Sequence, residues 1–256
     1  MNRALENCLR IYEDANFYDE EFRNRQFDIS FFVETAQQIG SPVLELGCGS
    51  GRIGIPIANA SIEIDGIDIS QPMINNGRLQ ARESACNNMQ FHLGNFSNFD
   101  LNKSYKLIFC ATNAFQHLWD DEQISSCFES VRRNLAPTGI FLIDIFNPDS
   151  NKLLRTWEQV YVFKEMNTRE HGTLVVSARS EFDPTNQILR FQLDYRRKLD
   201  DAQIKVKDIE MKCLFPDDIS QFCTKHGFKI IEKYGNYDRT PMTPNSPKQI
   251  IFCTPH

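Results

Sequence analysis

Along residues 42–148, short apolar runs alternate with stretches of helical periodicity, the pattern of a parallel sheet whose strands are joined by crossover helices. Pro42 to Leu46 reads as the first strand and Arg52 to Ala60 as the helix that follows it. Ile62 to Asp68 is the second strand. It closes on Ser70-Gln71-Pro72, where Ser70 suits the cap of a helix carrying proline just inside its first turn. Met89 to Leu93 and Tyr105 to Cys110 are strands three and four, and Asp120 with Gln123 provides a cap and capping-box partner for a helix to Asn134. Ala136-Pro137-Thr138-Gly139 then turns the chain into GIFLIDIF, an unbroken apolar run fit for a strand buried on both faces.

After Pro148 the period becomes two. Leu174, Val176, Ala178 and Phe182 share one side of Thr173 to Phe182, and Leu189, Phe191, Leu193 and Tyr195 share one side of Ile188 to Leu199. Asp183-Pro184-Thr185-Asn186 between them is turn chemistry, so the two runs predict an antiparallel hairpin, with Lys205 to Phe215 as a third strand. Such a one-sided sheet is suited to lying over something. Pro216 to His226-Gly227 reads as a short helix with glycine past its end, and Phe228 to Tyr234 and Gln249 to Cys253 as two further strands.

Composition narrows the function without naming it. A net charge of -6 argues against a broad nucleic-acid surface, and no apolar run is long enough for a membrane span or a signal peptide. The expected location is the cytoplasm. Eight cysteines without a C-x-x-C pair read as reduced core residues, and five scattered histidines give no metal-ligand spacing, so no metal is expected.

Glu45 to Gly54, ELGCGSGRIG, carries the chemistry and can be read in two registers. Gly49, Gly51 and Gly54 form G-x-G-x-x-G, which brings a dinucleotide pyrophosphate to a helix N-terminus. Glu45, Gly47, Gly49 and Gly51 form E-x-G-x-G-x-G, a loop of S-adenosylmethionine-binding proteins. Glu45 would stand as a like charge beside a pyrophosphate but suits a ligand bearing a sulfonium and an ammonium, so charge favours the second register. Asp68, at the end of the second strand, can accept ribose hydroxyls in either case.

VLELGCGSGRIGIPIA, then GIDIS followed by Met73, LGNFSNF, LIFCATNAFQHL and NLAPTGIFLIDIFNP stand in the order and spacing of the class I S-adenosylmethionine-dependent methyltransferases, which this chain resembles over roughly residues 40–150. The resemblance implies an α/β, Rossmann-like, seven-stranded sheet with an antiparallel last strand, helices on both faces, and an inserted antiparallel β cover. It divides the chain into N-terminal lid helices (1–40), a cofactor-binding core (41–154 and 216–256) and a cover (155–215). It implies that Glu45, Gly47, Gly49 and Gly51 meet the amino acid end of the cofactor and Asp68 its ribose, with Ile69, Met73, Asn95, Phe96 and Ala111 around the adenine and the reacting end. Asn95 departs from the acid usual at its position. Its amide oxygen can still accept a hydrogen bond.

On the acceptor side, residues 111–118 follow the fourth strand and lack the N-P-P-Y tetrapeptide of many nucleic-acid amine methyltransferases. His117 suits a general base, and the segment Ile11 to Tyr18 resembles the lid helix of small-molecule members, with Tyr18 first and Tyr12 second as inward-pointing groups. The inserted strands are like those of aminosugar N-methyltransferases and glycine N-methyltransferase-like enzymes; Arg179, Arg190 or Arg196 on them could reach an acidic substrate group. The expected activity is direct in-line methyl transfer to a nitrogen or oxygen of a small molecule, with S-adenosylhomocysteine as product. No nucleic acid or membrane partner is expected, and a homodimer is left open. A catalytically inactive cofactor-binding protein and a nicotinamide-dependent oxidoreductase are the alternative readings.

Overall fold

The apolar runs assemble into one seven-stranded sheet because each can bury two faces. In the computed structural model, which describes residues 3–149 and 153–256, its strands are β1 (Val43–Leu46), β2 (Ile64–Asp68), β3 (Met89–Leu93), β4 (Tyr105–Cys110), β5 (Leu135–Phe146), β10 (Phe228–Tyr234) and β11 (Lys248–Pro255). The order is β10-β11-β5-β4-β1-β2-β3. β1 pairs in parallel with both β2 and β4, and the last strand, β11, runs antiparallel to β5 and β10. Residues 1–2 and 150–152 of the domain assignments lie outside the described residues.

Alternate residues of the central strands feed two cores. Leu44, Ile108 and Cys110 pack with Phe128 of α6 (Asp121–Asn134) and Ile219 of α7 (Pro216–Lys225) on one face. Val43, Leu107 and Phe109 meet Phe32 of α3 (Ile29–Ile39), Ile57 of α4 (Gly54–Asn59) and Ile74 of α5 (Gln71–Glu83) on the other. Ser70 caps α5 by accepting the Met73 N–H, and Asp120 caps α6 by accepting that of Gln123, as their spacing predicts. The chain winds outward from β1 in both directions, so the carboxyl ends of β1 and β4 open a crevice between them, the place where open α/β sheets bind ligands.

The period-two region forms a second, antiparallel sheet: β6 (Tyr161–Thr168), β7 (Gly172–Asp183), β8 (Ile188–Arg197) and β9 (Gln203–Lys212). β6 was not expected from the sequence. Its alternation is broken by a bulge between Val162 and Lys164, which leaves Val162 and Phe163 exposed. Leu174, Val176, Leu193 and Tyr195 on the inner face pack on Ile11 and Phe17 from the N-terminal helices. Among the described residues no helix is long and apolar enough to cross a membrane.

The segment Ile11 to Tyr18, expected within a single lid helix, instead holds the break between two. α1 (Arg3–Ile11) stops at Tyr12, whose carbonyl accepts from Ser70 Oγ at 3.0 Å, and α2 (Ala15–Phe22) restarts behind Asp14, whose side chain accepts the Phe17 N–H. α2 is held from two sides. Asp19 accepts from Ser50 Oγ, Asn76 Nδ2 and Gln80 Nε2, each at 2.5 Å, on the main sheet's side. Glu21 accepts from Lys207 at 2.5 Å, Lys164 at 2.9 Å and the Tyr195 hydroxyl at 2.7 Å on the second sheet's side. Burial opposes the Glu21 charge, but Lys207 and Lys164 outweigh it and hold its carboxyl below the usual range.

Breaking a buried pair by removing one partner strands the other charge, at about 3–5 kcal/mol. Glu21→Ala is therefore expected to lower the unfolding free energy by about that amount in a urea melt, and Glu21→Ala/Lys207→Met to recover most of the loss. A Glu21→Ala loss below about 1 kcal/mol would show that the ion pair does not hold α2.

Candidate active site

The turn after β1 needs conformations that side chains resist. Gly47, Gly49 and Gly51 have φ of 70°, 55° and 83°, in the left-handed region that favours glycine. Space is also short at Gly47, where a Cβ would stand 2.9 Å from Ala114 Cβ. Gly51 serves helix packing: a Cβ there would meet Ile55 and Phe91 at 3.0 Å, and the residue does not line the cavity.

Asp68 shapes this loop from the next strand. Its Oδ2 accepts the Gly49 N–H and its Oδ1 the Ser70 N–H, both at 2.8 Å, and burial raises its carboxyl pKa above the ordinary value. Glu45 is pushed up to about 8 by burial, which Arg52 and the Gly54 N–H offset only in part. Its Oε2 has no hydrogen-bond partner among the described residues. Two carboxyls thus sit at one loop in surroundings that disfavour their charge, and a cation would relieve both.

Around them lies a cavity of about 710 Å³ including its opening to solvent. Of the sequence-predicted residues, Glu45, Gly47, Gly49, Asp68, Ile69, Met73, Phe96, Ala111, Tyr12, Tyr18 and His117 all line it. Asn95 does not: it is exposed, and its amide oxygen accepts the Ser97 N–H at 2.9 Å, a local turn contact. Arg179, Arg190 and Arg196 do not line it either. The register turns them to the far face of the second sheet, where Arg179 donates to Gln192, Arg190 pairs with Glu181 and Glu210, and Arg196 with Asp194.

The roof comes from the break between α1 and α2. The Tyr12 hydroxyl lies 2.9 Å from His117 Nε2, and the Tyr12 and Tyr18 rings meet edge to face with centroids 5.7 Å apart. Burial raises the Tyr18 hydroxyl to about 12 and lowers His117 to about 4, so the imidazole is neutral at neutral pH. His117 ends a single turn of 3₁₀ helix (Ala114–His117), which Gln116 fixes by donating to the Lys212 carbonyl and accepting the Phe146 N–H. His117 Nδ1 is buried without a partner.

Sequence reasoning missed Arg52 and Thr112. Arg52 lines the cavity and grips Asp28 with two nitrogens at 2.7 and 2.8 Å, while also donating to the Arg25 carbonyl and to Thr112 Oγ1. Its position directly after the glycine loop was the available signal. Its partner, 24 residues upstream, was not readable. Among the described residues no group of three or more His, Cys, Asp or Glu is placed to hold a metal ion.

A parallel sheet of this order, with a glycine loop after β1 and a carboxylate ending β2, is the Rossmann-like fold of the class I methyltransferases. Residues 43–139 match the family described as a methyltransferase domain. The chain is 28% identical over 138 residues to the putative methyltransferase YqeM of Bacillus subtilis (strain 168), a match spanning 53% of this chain and 55% of that protein. A putative methyltransferase of Geobacillus sp. (strain WCH70) is 19% identical over 249 residues, 93% of this chain and 96% of that one. Among solved structures, the CcbJ methyltransferase from Streptomyces caelestis superimposes with a TM-score of 0.79 at 24% identity, covering 90% of this chain and 95% of that one. An S-adenosylmethionine-bound amino pentose methyltransferase from Micromonospora echinaspora does so with 0.74 at 14%, covering 94% and 97%. These likenesses establish the fold, including the added sheet.

The depressed His117 pKa carries a pH signature. An unfolded histidine protonates near 6.5 and the buried one near 4, so stability is complete above about 6.5 and falls as pH drops toward 4, by about 3 kcal/mol in the limit. Urea melts at pH 7.5 and 4.5 should therefore show wild type losing about 2–3 kcal/mol more than His117→Phe. Equal losses would mean that the imidazole is not held neutral by burial.

Proposed function

We propose that this protein is an S-adenosylmethionine-dependent methyltransferase acting on a nitrogen or oxygen of a small-molecule acceptor. The observation that carries the reading is the pair of charge-disfavoured carboxyls at the glycine loop, Glu45 buried and Asp68 half-buried. A dinucleotide pyrophosphate would add negative charge there. Glu45 Oε2 stands against Gly54, 2.9 Å from where a Cβ would be, at the start of the helix where a pyrophosphate would sit. A ligand with a sulfonium and an ammonium suits the same groups.

The residues present fit that cofactor. Gly47 and Gly49 leave the backbone bare for its amino acid end, Glu45 offers an unpartnered oxygen to an ammonium, and Arg52 is the cation within reach of a carboxylate. The Asp68 carboxyl keeps acceptor capacity for a ribose hydroxyl beyond its backbone contacts. Met73 and Ile69 offer an apolar bed for adenine. When bound, the cofactor supplies a methyl group already activated for in-line displacement, so the protein's task is positioning and exclusion of water.

Tyr12, Tyr18 and His117 form the neutral polar side of the cavity, against which an acceptor would lie. His117, neutral and with Nδ1 unpartnered, can take a hydrogen bond or a proton from the acceptor once Tyr12 fixes its ring. The relatives' descriptions as methyltransferases, one of an amino pentose, support a small polar acceptor.

Calorimetric titration with S-adenosylmethionine, S-adenosylhomocysteine and NADH tests the reading. Binding of the first two is expected, weakened about 10- to 100-fold in Asp68→Asn, as loss of charge-assisted hydrogen bonds implies. Binding of NADH alone would overturn it.

A further inference from the structure

Just past β4 two adjacent non-glycine residues, Thr112 (φ 55°) and Asn113 (φ 68°), are left-handed, which happens nowhere else among the described residues. The other six such residues stand singly between elements. Threonine is β-branched and among the residues least suited to this region. A conformation that sequence disfavours persists only where its surroundings over-determine it.

Here they do. The Thr112 N–H donates to Asp144 Oδ2 at 2.9 Å and the Asn113 N–H to the Asp144 carbonyl at 3.1 Å. Arg52 donates to Thr112 Oγ1 and Lys248 to Asn113 Oδ1, both at 3.0 Å. Asp144 is itself fully buried and braced by Lys248 Nζ at 2.6 Å and the Tyr237 hydroxyl at 2.8 Å. Asp144, Tyr237 and Lys248 do not line the cavity, whereas Thr112 does.

What the pair fixes is the phase of the next turn, which sets Ala114 against Gly47 and brings His117 to Tyr12. We infer that Asp144 is a positioning residue for methyl transfer: it forces Thr112 and Asn113 left-handed so that the cavity wall from Ala111 to His117 stands where the methyl group meets its acceptor. The inference rests on the methyltransferase reading. It also brings Tyr237, in the loop between β10 and β11, into the function as a brace behind the wall.

The test uses [methyl-13C]S-adenosylmethionine as the probe and the NMR resonance of its bound methyl group as the readout, with melting temperature and calorimetric Kd as controls. Asp144→Asn is expected to move the resonance with less than about a threefold change in Kd. Glycine adopts the left-handed region freely, so Asp144→Asn/Thr112→Gly should return the resonance at least halfway to wild type. Asp65→Asn, which weakens a buried cluster with Lys103 and Tyr105 away from the cavity, should lower the melting temperature and leave the resonance in place. An unmoved resonance in Asp144→Asn, or a shift that Thr112→Gly does not reduce, overturns the inference while the cofactor reading stands. No binding by wild type overturns both. If Asp144→Asn does not fold, Thr112→Val, which deletes the Arg52 contact at constant shape, should move the resonance and Thr112→Gly should not; equal behaviour of the two overturns the inference.

Discussion

One carboxylate ties the site to the sheet. Asp68 ends β2 and accepts backbone N–H groups from the glycine loop after β1 and from the cap of α5, so two βα turns converge on a single side chain. That convergence requires Gly49 to be left-handed, brings the bare backbone of the loop to face the crevice beside β4, and leaves Asp68 half-buried with spare acceptor capacity. At the cavity floor the fold accepts the cost of enclosing an acid with only neutral donors.

The remaining walls are arranged around this floor by long-range polar contacts more than by apolar packing. Arg52 draws the segment before α3 and the turn after β4 to the glycine loop, and Asp19 and Glu21 hang α2 between the main sheet and the second one. The cavity is therefore a junction of four chain segments that lie far apart in sequence. No one of them would hold its shape alone.

This explains what was readable from sequence. Residues whose role is local were legible: β3 and β4 fall on the expected residues, Ser70 and Asp120 cap as their spacing predicts, and Gly47 and Gly49 face the cavity. Residues whose role depends on a distant partner were not. Arg52 needed Asp28, Thr112 needed Asp144, and the split of the N-terminal helix needed Ser70. Asn95 and the three arginines of the second sheet had the right chemistry but the wrong partners or face, which register alone decides. The expected helix from Arg52 begins at Gly54.

The lid's two attachments differ in kind. Toward the glycine loop Asp19 meets neutral donors, while toward the second sheet Glu21 meets two lysines, Lys207 buried and Lys164 half-buried. Neither contact is one that dissolved salt screens well. Floor residues between 45 and 73 come from one compact stretch of chain, whereas the roof and far wall are drawn from the lid and the turn after β4. Substitutions at roof positions without a polar contact to the floor would alter which molecules fit beside the loop, whereas those at Asp19 and Thr112 would reach the residues that shape it.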